Sequence, residues 1–293
     1  MKALFPACCK RWLHSPYVRI SLLFMLCGGI LLAVLCPQTV KGATVSIDGS
    51  LFSLAAATEA IITVPIITAL TQQELTDGVI RSKLIGYTRT EVFLSQAVTG
   101  AAYSALCSLL LFAPPCIRAA DLLKKAMCLK TAAALAVILL FLPAVSVLCT
   151  AICMNLEGFA GAVLCIVLLG GCFFGGMTLI DLLAYPEYLN DTVYDGTTFQ
   201  ETLTKNPNYI EEPMRDVLNC VNHLNPFSDW HAASAYMDFL SVYADADTIR
   251  NEQIQRQAEK SRDGITAVLL GTVCFTVLTA GIGYAFFKRR NIR

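Results

Sequence analysis

Charged residues are scarce in this sequence, at 15% of its 293 residues, against about 25% in soluble proteins. Basic and acidic residues number 22 each, so the formal net charge is zero and no basic surface for nucleic acid is expected. Hydrophobic residues reach 56%, and the mean hydropathy is +0.60. These values argue against an ordinary soluble domain and indicate a polytopic membrane protein.

Motifs for nucleotide and metal chemistry are also missing. The sequence contains no Gly-x-x-x-x-Gly-Lys-Ser/Thr phosphate-binding loop. Its three histidines, His14, His223 and His231, lack the spacing of zinc ligands. An intramembrane hydrolase would need a pair of catalytic serines or aspartates within its spans, and Glu59 and Asp181 do not make such a pair. The chain is therefore predicted not to be an enzyme, and any ATP and Mg would be bound by a partner chain.

The 13 cysteines do not form a predicted disulfide framework. Cys149 and Cys153 share one helical face, but no histidine or carboxylate accompanies them, so packing is favoured over metal binding. Cys220 is alone within the large polar region and has no partner there. Five of the others lie inside apolar runs, where cysteine behaves as a small hydrophobe: Cys27, Cys107, Cys165, Cys172 and Cys274.

Six apolar runs have the length of membrane spans, about 20 residues each. They cover residues 17–36, 51–71, 92–113, 131–153, 158–182 and 264–287. A cleaved signal ending near residues 40–42 is the weaker alternative for the first run. Pro114 and Pro115 are expected to end the third span. Residues 155–157 are so short a connection that the fourth and fifth spans must form a tight antiparallel hairpin.

Basic residues in short loops predict both termini in the cytoplasm. With that orientation, eleven lie inside: Lys2, Lys10, Arg11, Arg19, Arg81, Lys83, Arg89, Lys288, Arg289, Arg290 and Arg293. Five lie in short outside loops: Lys41, Arg118, Lys124, Lys125 and Lys130. The basic connection between the third and fourth spans is the dissenting element. Residues 1–16 are expected to lie against the inner membrane surface.

Three regions follow from this topology. Residues 1–182 hold the cytoplasmic N-terminal segment and the first five spans, and residues 263–293 hold the sixth span and a basic tail. Residues 183–262 are predicted to form an extracellular helical domain. One helix is expected to start at Pro213 and to stop at Asn225-Pro226, and a second to be capped by Asp229.

The segment between the second and third spans is a short charged island. Gly78 and Gly86 bracket residues 79–85, in which Ile80 and Leu84 share one helical face. Arg81 and Lys83 point elsewhere. This pattern predicts a brief amphipathic helix that joins two spans and offers an apolar face for docking.

The same segment resembles the coupling segment of bacterial type-2 ABC transporter permeases. The matching residues are Glu74, Asp77, Gly78, Val79, Ile80, Arg81, Lys83, Leu84, Gly86 and Arg89, with Tyr87-Thr88 completing the final run. In that family this is a cytoplasmic coupling helix, here about residues 74–89, which inserts into the ATPase subunit. The resemblance extends over nearly the whole chain, from the N-terminal span to the tail.

That resemblance implies an all-α membrane protein with six spans, which acts as an exporter subunit in the bacterial plasma membrane. Its expected partners are an ABC ATPase subunit, a second permease chain and the lipid bilayer, and its substrate would be a peptide, drug or lipid-like molecule. The alternative is a membrane sensor or immunity subunit that transports nothing and binds a ligand through residues 183–262. A secondary transporter is disfavoured because internal repeats are lacking.

Glu59 is the most unusual residue within the predicted spans. A carboxylate facing lipid there costs about 2.5–3.5 kcal/mol, so its side chain is expected to face protein or a wet cavity. The natural cavity is a substrate path between paired subunits. The alternative is that the second span begins near Ala60 and leaves Glu59 at the headgroup level.

Overall fold

The computed structural model describes residues 4–35, 55–76, 87–156, 159–194, 199–238, 259 and 264–289. Within these ranges, the side chains of residues 4, 11, 72–76, 122, 190–194, 199–202 and 238 are left out of the description. Residues 51–54, predicted to begin a span, and residues 77–86, predicted to form most of a coupling helix, lie outside the described residues.

The described chain is largely helical. Its helices are α1 (Leu4–His14), α2 (Pro16–Leu35), α3 (Val64–Thr76), α4 (Arg89–Arg118), α5 (Ala120–Ala126), α6 (Leu129–Cys153), α7 (Ala160–Ala184), α8 (Met214–His223), α9 (Pro226–Asp238) and α10 (Ile265–Arg289). Strands β1 (Tyr188–Tyr194) and β2 (Phe199–Lys205) pair antiparallel, with Tyr188 opposite Lys205.

Five of these helices, α2, α4, α6, α7 and α10, are long and apolar enough to cross a membrane. This finding confirms a multi-pass architecture. The second predicted span appears as a shorter apolar helix, Ala55–Thr71. Its second half is the beginning of α3 (Val64–Thr76). A π-helical turn, Glu59–Thr63, interrupts it directly before Pro65. Proline has no N–H and its ring crowds the carbonyl four residues back, which gives a reason for the wider turn.

Helix α6 forms the centre of the bundle and packs against α3, α4, α7, α9 and α10. In its most apolar window 67% of the residues are buried, compared with 17% in α7 and in α10. Asn155, just beyond α6, donates its Nδ2 to the carbonyls of Ala151 and Gly283. The predicted tight turn between the fourth and fifth spans is confirmed, because α7 begins at Ala160.

The prediction that Pro114 and Pro115 end the third span is wrong, because α4 continues through both prolines to Arg118. The prolines free the carbonyls of Leu110 and Leu111, four residues back. Those two oxygens face Gly29 of α2, where a Cβ atom would lie 2.5 Å and 2.8 Å from them. The close approach of a glycine backbone covers the weakened turn, so the helix does not end.

The N-terminal segment forms helix α1, which packs against α2 and α4 of the bundle. Trp12 is 3% exposed, and its ring lies 5.3 Å from that of Tyr103 in α4. Cys8 is buried and accepts a hydrogen bond from Gln96 Nε2 at 3.2 Å. Leu13, by contrast, is 54% exposed. Trp12 therefore packs on protein, and the expectation that residues 1–16 lie against the inner membrane surface stays a prediction.

The region after α7 is not purely helical, which corrects the prediction of a helical domain over residues 183–262. It begins with the β1–β2 hairpin, whose base is closed by Asn206. The Nδ2 of Asn206 donates to the Pro186 carbonyl at 3.0 Å, and its Oδ1 accepts from the Asn208 backbone at 2.9 Å. The aromatic and β-branched residues of β1 and β2, such as Tyr188, Val193 and Thr204, are types enriched in strands.

Helices α8 and α9 form a helical hairpin that dips between the candidate spans. At its tip, Asn225 Nδ2 donates to the Cys172 carbonyl at 2.7 Å, and Cys172 is the midpoint of α7 (Ala160–Ala184). At 1.5 Å per residue this point is about 18 Å from either end of α7. Phe227 and Trp230 pack on Phe141 at the middle of α6. The predicted limits of α8 are confirmed, whereas α9 starts at Pro226 and not at Asp229.

Candidate functional site

The predicted coupling segment lies mostly outside the described residues. Eight of its predicted contact residues belong to that undescribed part: Asp77, Gly78, Val79, Ile80, Arg81, Lys83, Leu84 and Gly86. Glu74 is placed by its backbone in the last turn of α3, which ends at Thr76. Arg89 is the first residue of α4. The segment is therefore framed by the end of one helix and the start of another.

The start of α4 is firmly held. Thr88 forms a capping box with Glu91: the Thr88 side chain accepts from the Glu91 backbone, and the Glu91 carboxylate accepts from the Thr88 backbone. Arg89 Nη1 donates to the Lys288 carbonyl at 2.7 Å, and Thr90 bonds the Tyr284 hydroxyl at 2.7 Å. Arg89 thus joins the start of α4 to the end of α10, a use the sequence did not predict.

A polar cluster surrounds Glu59 in the interior of the bundle. Glu59 is 1% exposed, and its Oε1 accepts from Ser21 Oγ of α2 at 3.5 Å. Ser21 in turn bonds the Tyr103 hydroxyl of α4. Thr63, one turn further along the same helix, adds another hydroxyl beside the carboxylate. Three segments of the chain thus meet at one buried acid.

The second carboxylate oxygen of Glu59, Oε2, has no hydrogen-bond partner among the described residues. The expectation that Glu59 faces protein agrees with its burial, and the alternative that it lies at the headgroup level stays a prediction. Its side chain is enclosed by this chain's own helices, so it does not line the outer surface of a single subunit. A carboxyl group enclosed in this way is costly to keep charged without a cationic partner.

A second buried acid, Asp229, holds the α8–α9 hairpin against α10. Asp229 is 2% exposed, and its Oδ2 accepts from the Thr272 hydroxyl at 2.9 Å. His223 Nδ1 lies 3.8 Å from its Oδ1. Gly271 lets the hairpin come close, since a Cβ atom there would lie 2.4 Å from the His223 carbonyl.

Sequence reasoning identified Glu59 but missed its partners and the second acid. Ser21 and Tyr103 lie in other apolar runs, and only tertiary packing brings them together. The Asn225-Pro226 pair was a visible signal, because an Asx side chain before a helix can cap it: Asn225 Oδ1 accepts from the Phe227 backbone at 3.1 Å. The position of that cap at the middle of α7 could not be predicted from the sequence.

No cluster of three potential metal ligands occurs among the described residues. A scan of the sequence against protein-family models finds no matching family, and a search of curated proteins finds no matching relative. Function is therefore proposed from the residues of this chain.

Proposed function

We propose that the chain is the permease subunit of an ATP-binding cassette exporter, working with a separate ATPase subunit that binds ATP and Mg. The observation that carries this proposal is the coupling-type sequence at residues 74–89. Ile80 and Leu84 supply its apolar face and Arg81 and Lys83 its charged rim. It connects two apolar helices of a multi-pass bundle, a position from which a docking helix can transmit motion to both.

The finer topology belongs to the same proposal: six spans, both termini in the cytoplasm of a bacterial cell, and residues 183–262 on the outer side. A second copy or a similar chain would complete the transporter. The low burial of α7 and α10 within one chain, 17% in each window, leaves apolar surface for lipid and for such a partner.

The decisive experiment is the Ile80→Asp substitution in the chain co-expressed with its candidate ATPase subunit. An unpaired charge in a docked apolar contact costs several kcal/mol, on the order of 3–5. Co-purification of the ATPase and substrate-stimulated ATP hydrolysis should both be lost. Ile117→Asp is the matched control, because Ile117 is 74% exposed at the far end of α4.

Two results would overturn the proposal. Normal co-purification and coupling in Ile80→Asp would show that the segment is not the docking site. A chain that binds an extracellular ligand and has no ATPase partner would be the sensor or immunity subunit instead. Topology is tested separately with an impermeant thiol reagent: the native Cys220, which is exposed, should react in intact cells, and a cysteine introduced at position 83 should not.

A further inference from the structure

We propose that Glu59 is an intramembrane proton-binding site, which exchanges its proton with the cytoplasmic end of the bundle along a polar stripe between α4 and α6. The polar stripe is defined by six residues: Gln96, Gly100, Ser104 and Ser108 of α4, with Ser146 and Thr150 of α6. This inference goes beyond transport and does not depend on an ATPase partner.

The first argument is the local charge balance at Glu59. Its polar neighbours are hydroxyl groups, from Ser21, Thr63 and, through Ser21, Tyr103. Hydroxyls can share a proton with a carboxyl group but cannot neutralise a carboxylate. Because an enclosed and unpaired carboxylate is strongly disfavoured, the group takes up a proton and becomes a neutral acid.

Among the described residues, the titratable groups around Glu59 supply no nearby cation. Electrostatic interaction links it to Tyr103 and Cys107 of α4. Arg19 of α2 is exposed and donates its Nε to the Leu13 carbonyl at 2.7 Å. Further thiols on the neighbouring helices are Cys149 and Cys153 of α6 and Cys165 and Cys172 of α7. The other charged residues lie near the helix ends: Arg89, Glu91 and Arg118 of α4, Lys130 of α6 and Asp181 of α7.

The second argument is the polar stripe. Gln96, Gly100, Ser104 and Ser108 follow one another at intervals of four residues, so they lie along one face of α4. Ser146 and Thr150 of α6 face the gap left by Gly100, where a Cβ atom would lie 2.9 Å and 3.4 Å from their oxygens.

Every polar side chain of the stripe is buried and has a spare hydrogen-bonding oxygen. Among the described residues, no partner is found for Gln96 Oε1, Ser104 Oγ, Ser108 Oγ, Ser146 Oγ or Thr150 Oγ1. Buried hydroxyls and amides normally find partners. The stripe includes Ser104, which directly follows Tyr103 in α4. A row of buried hydroxyls suits a proton route, because each hydroxyl can both accept and pass on a proton, and the Gln96 amide oxygen can accept at its end.

The direction of the route follows from its two ends. Towards the cytoplasmic end, Gln96 is within two turns of Arg89, where α4 begins. Towards the outer end, Ser108 opens on a small cavity that is otherwise lined by apolar residues, including Phe112, Phe141 and Trp230. Aromatic side chains offer no relay, so exchange should occur from the cytoplasmic side. The step is a simple acid dissociation: one O–H bond of Glu59 breaks and the proton leaves along the stripe.

Infrared difference spectroscopy on the full-length protein in lipid nanodiscs tests the site. Titration from neutral to alkaline pH should remove the carbonyl band of a protonated carboxylic acid, and that band should be lost in Glu59→Gln. Glu91→Gln is the matched control and should retain it, and Asp229→Asn should remove only the band of the second buried acid. Treatment of the unmodified protein with dicyclohexylcarbodiimide should label Glu59, as found by peptide mass spectrometry, which keeps the test independent of the folding of any variant.

The route is tested by exchange in deuterated water. The shift of the Glu59 carbonyl band should be severalfold slower in Gln96→Leu and Ser104→Ala, and unchanged in Ser108→Ala, which lies beyond the acid. A spectrum that is identical in the unmodified protein and in Glu59→Gln, together with no carbodiimide label, would overturn the proton site. Equal exchange rates in all three stripe variants would overturn the route.

Discussion

Glu59 and Asp229 are two buried acids in one helical bundle, and each has one carboxylate oxygen without a hydrogen-bond partner among the described residues. Their other contacts differ. Asp229 has a hydroxyl donor from α10 at 2.9 Å and an imidazole nitrogen at 3.8 Å. Glu59 has a long contact with the Ser21 hydroxyl at 3.5 Å and a second hydroxyl beside it, from Thr63 of its own helix. The first arrangement suits a fixed contact between a hairpin and a span. The second leaves room for a change of protonation state.

The comparison teaches that burial alone does not identify a functional acid. Both side chains are at most 2% exposed, and both are costly if left charged and unpaired. The difference lies in the partners. Asp229 accepts a hydrogen bond of normal length from another helix, whereas the contact of Glu59 with α2 is long, so Asp229 is expected to hold its arrangement more firmly.

The largest expected effect is on the Asp229 side. Gly271→Val places a side chain against the His223 carbonyl, 2.4 Å from the position of its Cβ atom, and 3.0 Å from Asp229 Oδ2. Overpacking of this kind costs about 1–3 kcal/mol, so the thermal unfolding midpoint in detergent should fall clearly. Gly281→Val in the same helix is the control, since no described atom lies within 4 Å of a Cβ atom there. An equal midpoint for both variants would mean that the hairpin does not dock on α10.

The second largest effect is expected from loss of the Thr272 hydroxyl, which donates a hydrogen bond to Asp229. Thr272→Val keeps the volume and removes the donor, leaving a buried carboxylate oxygen unsatisfied, at a cost of about 1–3 kcal/mol. Thr272→Ser should restore most of the stability. Thr276→Val is the control, because Thr276 donates to the Thr272 carbonyl within its own helix. If Thr272→Val unfolds at the same temperature as Thr276→Val, the bond to Asp229 contributes little.

On the Glu59 side the expected loss is smaller. Ser21→Ala removes one donor at 3.5 Å from Glu59 and one contact with Tyr103. A typical net contribution of one hydrogen bond is about 0.5–1.5 kcal/mol, so the unfolding midpoint should fall less than in Thr272→Val. A larger fall in Ser21→Ala would reverse the comparison and make Glu59 the fixed acid.

The smallest expected effect is a change in the reactivity of the Cys128 thiol. This reactivity reports whether the α8–α9 hairpin is docked against the bundle. Hydrogen bonding by Thr131 lowers the pKa of the Cys128 thiol from 9.0 to about 7, and the Tyr236 hydroxyl of α9 adds to this. Since the thiolate is the reactive form, maleimide labelling of Cys128 should rise with pH to half its maximum near pH 7.

Displacing the hairpin should shift that profile towards higher pH. We expect the shift in Gly271→Val, which disturbs the Asp229 side, and none in Ser21→Ala. A profile centred near the ordinary thiol value in the unmodified protein would show that Tyr236 and Thr131 do not hold the thiolate.

The spans and their order were predictable from the sequence, because long apolar runs such as those of α6 and α7 have few alternatives to a membrane helix. Their limits were less predictable. Pro114 and Pro115 are ordinary stop signals, and only the neighbouring Gly29 explains why α4 continues. The β1–β2 hairpin was missed because its polar residues resemble those of any exposed loop.

The candidate site was half predictable. Glu59 is conspicuous as a lone acid in an apolar run, and Pro65 nearby could have indicated an irregular turn. Its hydroxyl partners come from residues about 40 positions away on either side, and no local pattern links them. The depth of the α8–α9 hairpin was invisible for the same reason, since it depends on a contact between Asn225 and the middle of α7.

The meeting of Gly29 with the carbonyls of Leu110 and Leu111 also limits how the chain can diversify. A larger residue at position 29 should be tolerated only in sequences that also lose Pro114 and Pro115, because then α4 regains its own hydrogen bonds and turns those oxygens inward. Removing the prolines alone should be accepted readily. In related sequences, Pro114 and Pro115 are therefore expected to be replaced before Gly29.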